Sequence, residues 1–280
     1  MLLSAKASLF SEMGENSETA HFLRSLNSIY GSLPSAILLI SAHWEEKNIT
    51  VGCQRNGTSL IYDYYGFPSE CYAPEFQYHC ATDTNLALRV REKLTEAGIS
   101  SSTSDRGFDH GVFIPMKLAY PSGNVPIVQI SLNSNLDFSA HIKLGEALSS
   151  FRSEGIAIIG SGSLTHNLRD FGAVGSPPAK ATVEFTEWVR NTLENSPHDG
   201  GASALEAFKN IARDAPHFQR FHPRVEHFLP LHVVLGAAYP SFSHSPLPSC
   251  VESNPPIKSV RRIHHKIILG TFSLDSYLFE

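Results

Sequence analysis

Cysteine is scarce: Cys53, Cys71, Cys80 and Cys250 are the only four in 280 residues, and no pair has CxxC spacing. A disulfide framework is therefore excluded, and the four read as reduced thiols in a cytoplasmic protein. Long apolar runs are missing too. No stretch approaches the roughly 20 residues of a membrane span, and the opening MLLSAKASLF is too short and too polar for a signal peptide. Charge is modest, with 18% charged residues, a formal net charge of -5 and no Lys/Arg run. Neither nucleic acid nor an anionic membrane surface is an expected partner. Internal repeats and low-complexity segments are absent. Against only two tryptophans and three methionines stand 14 histidines, which makes a metal site worth testing.

The hydrophobic pattern predicts an α/β fold: a single domain over residues 1–280, with a mostly parallel central sheet flanked by helices. Ala36 to Ser41, Pro126 to Leu132 and Ile156 to Ile159 are continuous apolar runs, the pattern of strands buried on both faces. Helical patterns lie between and after them at Ser17 to Ile29, Thr84 to Ala97, Ser139 to Ser149 and Val183 to Leu193, with one more at Gly201 to Ala212. Strands alternating with helices at this spacing imply βαβ units. In the helix from Thr84, Leu86, Leu88, Val90 and Leu94 form the apolar set. Residues 48 to 82 read as a hairpin or loop excursion whose Tyr62, Tyr64, Tyr65 and Phe67 suit a pocket wall or packing against the sheet. The segment Phe221 to Ala238 reads as a helix with Pro223 at its start and His227 in its first turn. Ile267 to Phe272 and Tyr277 to Phe279 are expected to close the sheet. Residues 1 to 15 show no clear periodicity.

Polar residues concentrate where two of the apolar runs end. After Ile159 come Gly160-Ser161-Gly162-Ser163 and then Thr165, His166 and Asn167, placed where open α/β sheets hold their ligands. A nucleotide-binding turn fits poorly, because Thr165 stands where the last glycine of GxGxxG belongs. The run from Ala36 ends in the same way, at Ala42, His43 and Trp44, so two strand ends each deliver a histidine. At Asp109-His110-Gly111 the aspartate either orients the neighbouring imidazole for acid/base work or caps a helix beside a bystander histidine.

Five segments together carry a resemblance: Ser41-Ala42-His43-Trp44, Tyr65-Gly66-Phe67-Pro68, Asp109-His110-Gly111, the stretch Gly160 to Arg169, and the stretch His222 to His232. From about Ala20 to the end the chain resembles the DOPA-dioxygenase-type class III extradiol ring-cleavage enzymes. The resemblance implies one α/β domain holding a non-haem metal, Fe(II) in catalysis and often Zn(II) as purified. It also implies that a catechol is opened by O2 to a semialdehyde. Carried over by position, His43 and His227 match metal ligands, His166 matches a further histidine at the site, as ligand or as acid/base, and His110 matches a histidine lining the substrate pocket. The family begins with a strand ending in Ser-His-Gly-Ser-Pro, whose histidine is a ligand, whereas Ser4 to Ser8 here read Ser-Ala-Lys-Ala-Ser. Either the chain begins late or it is a relative that has lost activity and keeps a metal- or ligand-binding role. A zinc hydrolase is the third alternative, without an HExxH or similar spacing to support it. The expected structural consequence is an unpartnered edge beside Ala36 to Ser41, with either Met1 to Ala5 as a substitute strand pointing at the site or a disordered N-terminus and poor stability.

Overall fold

Ser17 starts the first helix by accepting a hydrogen bond from the Ala20 amide, and α1 runs Glu18–Tyr30 before ending at Gly31 in the left-handed region, the usual cap pairing. The computed structural model describes residues 14–54, 59–74, 76–240 and 255–280; the expected strand at Met1 to Ala5 lies outside them. In order follow β1 (Ala36–Glu46), β2 (Ile49–Gly52), α2 (Thr84–Glu96), β3 (Ser101–Ser104), α3 (His110–Ala119), β4 (Ile127–Asn133), α4 (Phe138–Leu148), β5 (Ile156–Ser161) and α5 (Lys180–Glu194). Then come α6 (Ala202–Lys209), α7 (Ile211–Asp214), α8 (Phe218–Phe221), α9 (Leu229–Ala238), β6 (Val260–His264), β7 (Ile267–Ile268), β8 (Phe272–Ser273) and β9 (Ser276–Phe279).

Five strands form the central sheet in the order β3-β2-β4-β1-β5. It is mostly parallel, since only β2 and β4 run antiparallel to each other. The unbroken apolar run of β1 is explained by its position: Leu38 and Ile40 pack with α2, α4 and α9 through Val90, Leu144 and Val233. Ile37 and Leu39 pack on the opposite face with Leu26 of α1 and Phe113 of α3. A third apolar cluster joins α5, α6 and α9 through Phe185, Phe208 and Leu235.

Several expectations change. Leu88 is an exposed residue of α2, and Ala87 takes its place in the core. The last strands do not close the sheet; β6 pairs with β9 and β7 with β8 as separate two-stranded units. The helix expected from Pro223 begins at Leu229 with Pro230 in its first turn, so His227 precedes it. Proline at a helix start loses nothing, because the first amides have no intrahelical partner. Finally, β1 is not the strand that lacks a neighbour, being paired with β4 on one side and β5 on the other. Among the described residues the sheet's two edges are β3 and β5, and β5 is the one beside β1. Its Ala157, Ile158 and Ile159 are only half-buried, and the two isoleucines border a groove walled by Phe22 and Leu26 of α1, Leu231 and Val234 of α9, and Tyr277 of β9.

The core also contains two neutral histidines. His232 is fully buried with Nε2–H donating to the Phe208 carbonyl at 3.0 Å. His222 donates likewise to Leu164 at 2.7 Å. Burial holds both pKa values down at about 4. Below the unfolded value near 6.5 the unfolded chain takes up protons that the native rings refuse. Stability is therefore fully present above that pH and falls as the pH drops toward 4. Between pH 7 and 5 each ring is expected to cost about 2 kcal/mol, read as a lower urea midpoint at pH 5; an unchanged midpoint would contradict the neutral assignment.

Candidate metal centre

His43 is delivered by an irregularity in β1. Up to Ile40 the strand pairs residue for residue with β4, but the next partner of Leu132 is Glu45, and pairing with β5 stops at Ser41. A bulge of this kind takes a residue out of the ladder and re-aims it. Beneath it lies a buried polar anchor. The His43 amide donates to Ser41 Oγ at 3.2 Å, and that hydroxyl donates to Asp109 Oδ1 at 2.7 Å. Asp109 also accepts from Gly111, Arg106 and Gln129, and Arg106 donates to the His43 carbonyl at 3.3 Å. Asp109 thus caps α3 and anchors β1 without touching the His110 ring.

His166 and His227 are brought together by the crossing of the β5 exit and the segment before α9. Ser163 N donates to the His227 carbonyl at 2.8 Å. A Cβ on Gly162 would lie 2.2 Å from the same oxygen, so the glycine permits close backbone approach and the turn is not a phosphate cradle. Thr165 is buried and its hydroxyl accepts from the Ser273 amide at 2.7 Å, which ties the histidine-bearing loop to β8. The His166 and His227 rings stack with centroids 3.3 Å apart. His227 meets His43 edge-on at 4.9 Å, and His43 lies 4.0 Å from His110. Four imidazoles thus form one contiguous group at the irregularity of β1 and beyond the carboxyl end of β5.

Two carboxylates flank the group. Asp63 Oδ1 is 2.8 Å from His110 Nδ1, and its Oδ2 is 3.6 Å from His43 Nδ1. Glu226 Oε1 is 2.8 Å from His227 Nδ1. Burial alone would raise both acids, but hydrogen bonding and charge from the adjacent histidines outweigh it, lowering Asp63 and holding Glu226 at about 2. Burial, then the neighbouring imidazoles, depresses His43 to about 3 and His166 to about 4. Near neutral pH these two rings are uncharged and offer lone pairs, the state that metal binding requires. The residues form two potential metal-holding sets, His43 with Asp63 and His110, and His166 with Glu226 and His227. Beside His110 stand Tyr64 and, behind it, Tyr62, Tyr72 and Phe113, whereas Tyr65 is 91% exposed.

Sequence reasoning missed Asp63 and Glu226. Glu226 could have been found, being next to His227 in the chain. Asp63 could not, because its partner lies 47 positions away, and the aspartate adjacent to His110 in sequence turns back to cap its own helix.

Comparison with known proteins places the chain in a family. Residues 8–250 match the family described as the catalytic LigB subunit of aromatic ring-opening dioxygenase. A 4,5-DOPA dioxygenase extradiol of Beta vulgaris is 38% identical over 217 residues, 75% of this chain and 75% of that protein. The protein of that name in Escherichia coli is 31% identical over 217 residues, 73% of each chain. The crystal structure of an uncharacterized Escherichia coli K12 protein, JW3007, superposes with a TM-score of 0.69 at 25% identity, covering 94% of this chain and 92% of that one. Most of the chain is spanned by these matches, and the chain belongs to the family of catalytic LigB subunits of aromatic ring-opening dioxygenases.

Proposed function

We propose that this protein is a non-haem metal-dependent extradiol dioxygenase that opens the ring of a DOPA-like catechol with O2 to give a semialdehyde. The observation that carries the reading is the contiguous group of four imidazoles with a carboxylate on Nδ1 of His110 and of His227. An Nδ1–H held by a carboxylate leaves Nε2 as the free donor atom, the usual arrangement around a protein-bound metal. This nitrogen-rich donor set fits Fe(II) or Zn(II), with His43, His166 and His227 as the residues that would hold the ion. The ion would supply Lewis acidity and bring catechol and O2 together.

The remaining work falls to the chain itself. His110 Nε2 is the base that takes a phenolic proton, and the resulting imidazolium is balanced by Asp63. His166, neutral because it is buried and lies beside His227, offers a ring lone pair, which suits it to hold the ion or to take up a proton, and the proton collected on His110 Nε2 is the one returned to the opening ring. Tyr64, edge-on to His110 with ring centroids 5.5 Å apart, is the aromatic side chain that packs against this base. A catalytically impaired metal- or ligand-binding relative is the second reading, favoured by Ser-Ala-Lys-Ala-Ser at Ser4 to Ser8. Anaerobic loading with Fe(II), followed by L-DOPA or another catechol in air, distinguishes them. Yellow semialdehyde with matching O2 uptake is expected; metal bound without colour or uptake would leave the second reading standing.

A further inference from the structure

We propose that Asp63 is a positioning residue that fixes the tautomer of His110, holding the proton on Nδ1 so that Nε2 presents its lone pair to the substrate pocket. The consequence for ring opening rests on the function proposed above; the tautomer itself does not.

The observations converge on Asp63 from three directions. First, its carboxylate is held by two groups of one residue: Oδ1 accepts from the His110 backbone amide at 3.0 Å and from Nδ1 at 2.8 Å. His110 is the first residue of α3, so the carboxylate also sits at the positive end of a helix, where negative charge is favoured. Second, the chain around Asp63 is stapled in place. Ile61 N donates to the Phe108 carbonyl at 2.7 Å and Phe108 N to the Ser59 carbonyl at 2.9 Å, a short parallel pairing that lashes the Asp63 segment to the approach of α3. On either side, Tyr62 and Tyr64 sink into the apolar cluster and donate their hydroxyls to the carbonyls of Phe76 and Cys71. Between them the Asp63 amide donates back to the Ile61 carbonyl at 3.0 Å, a tight turn from which the carboxylate reaches the histidines. Third, the other oxygen lies 3.6 Å from His43 Nδ1, too far for a hydrogen bond, so the directed interaction is with His110.

An ionised carboxylate can only accept. The neutral His110 ring must therefore carry its hydrogen on Nδ1, and Nε2 is the basic atom. When a catechol hydroxyl gives its proton to Nε2, both ring nitrogens are protonated and the Nδ1–H···Asp63 bond becomes an ion pair; Asp63 gains no proton. With the other tautomer, Nε2–H would face the substrate and the ring could not accept a proton there.

Long-range 1H–15N NMR of the metal-free, histidine-labelled protein reads the tautomer directly. In the wild type, His110 is expected as Nδ1–H. Asp63→Ala is expected to shift it toward Nε2–H, while His227, held by Glu226, stays unchanged as the internal control. His110 remaining Nδ1–H in folded Asp63→Ala, or appearing as Nε2–H in the wild type, would overturn the assignment. If the alanine variant does not fold, Asp63→Asn decides: it keeps an acceptor but loses the charge, so the Fe(II)-loaded variant should lose about 100-fold in kcat with KM changed less than about threefold. An unchanged kcat there would overturn the role. A wild type that opens no ring would sink the proposed function and leave the NMR result for Asp63 intact.

Discussion

Replacing His227 by alanine is expected to abolish metal retention and to lower ring opening by about a thousandfold or more, the equivalent of several kcal/mol of lost charge stabilisation. The fold should survive. His227 holds its place through its backbone carbonyl, which accepts from Ser163 N, and that bond remains when the side chain is removed. What disappears is an imidazole whose Nδ1 is engaged by Glu226 and whose Nε2 is the proposed donor to the metal. Glu226 would lose its imidazole contact but keep the Arg224 guanidinium 3.2 Å from its Oε2, so the added stability cost is modest. The informative contrast is His110→Ala, expected to keep its metal and lose about 100- to 10,000-fold in kcat as a missing acid/base. Metal analysis and steady-state rates on both variants check the pair. A His227→Ala protein that retains a full equivalent of metal would show that the ion is held by the His43, Asp63 and His110 set instead.

The second large effect is expected from filling the groove along β5. An N-terminal extension that forms a strand parallel to β5 and ends in Ser-His-Gly should raise both thermal stability and metal affinity. β5 runs toward the histidines, and its groove extends from Leu26 and Tyr30 of α1 to Gly162 and His227, so a parallel strand placed there would end at the site. Four new ladder hydrogen bonds at about 1 kcal/mol each, with 2–4 °C per kcal/mol for a chain of this size, correspond to roughly 10 °C in Tm. The half-buried Ile158 and Ile159 would add apolar burial. A further imidazole should tighten metal binding by on the order of 100-fold, since even outer residues around a metal contribute 10- to 100-fold. The same extension with alanine for its histidine separates the effects: it should raise Tm alone. If neither quantity rises, the groove is not a strand site.

Patterns of burial were readable along the chain because burial is recorded locally. The apolar runs of β1, β4 and β5 and the capped helices α1, α2 and α4 all lie close to where periodicity and capping chemistry placed them. The strands short of apolar residues were harder. β3 is Ser-Ser-Thr-Ser and carries no hydrophobic signal; it becomes a strand by pairing with β2. At the C-terminus Tyr277 to Phe279 was legible as a strand, but the run Ile267 to Phe272 turns at Leu269 to Thr271 and splits into β7 and β8, β6 was not read as a strand, and nothing in these short segments specifies which edge they meet.

By itself the sequence determined the α/β class and the buried runs that become β1, β4 and β5, since composition and period report what each residue must be buried against. Tertiary structure alone decided which groups touch. Asp109, next to His110 in the chain, was claimed by the helix amide and by Ser41, Arg106 and Gln129, while Asp63 reached the imidazole from 47 residues away. It also decided that, among the described residues, β1 is enclosed by β4 and β5 while β5 lies at an edge of the sheet. The reason is the same in both cases: hydrogen bonds and ladder pairs are made to whatever lies within about 3 Å, and that proximity is created by packing, not by neighbourhood in sequence.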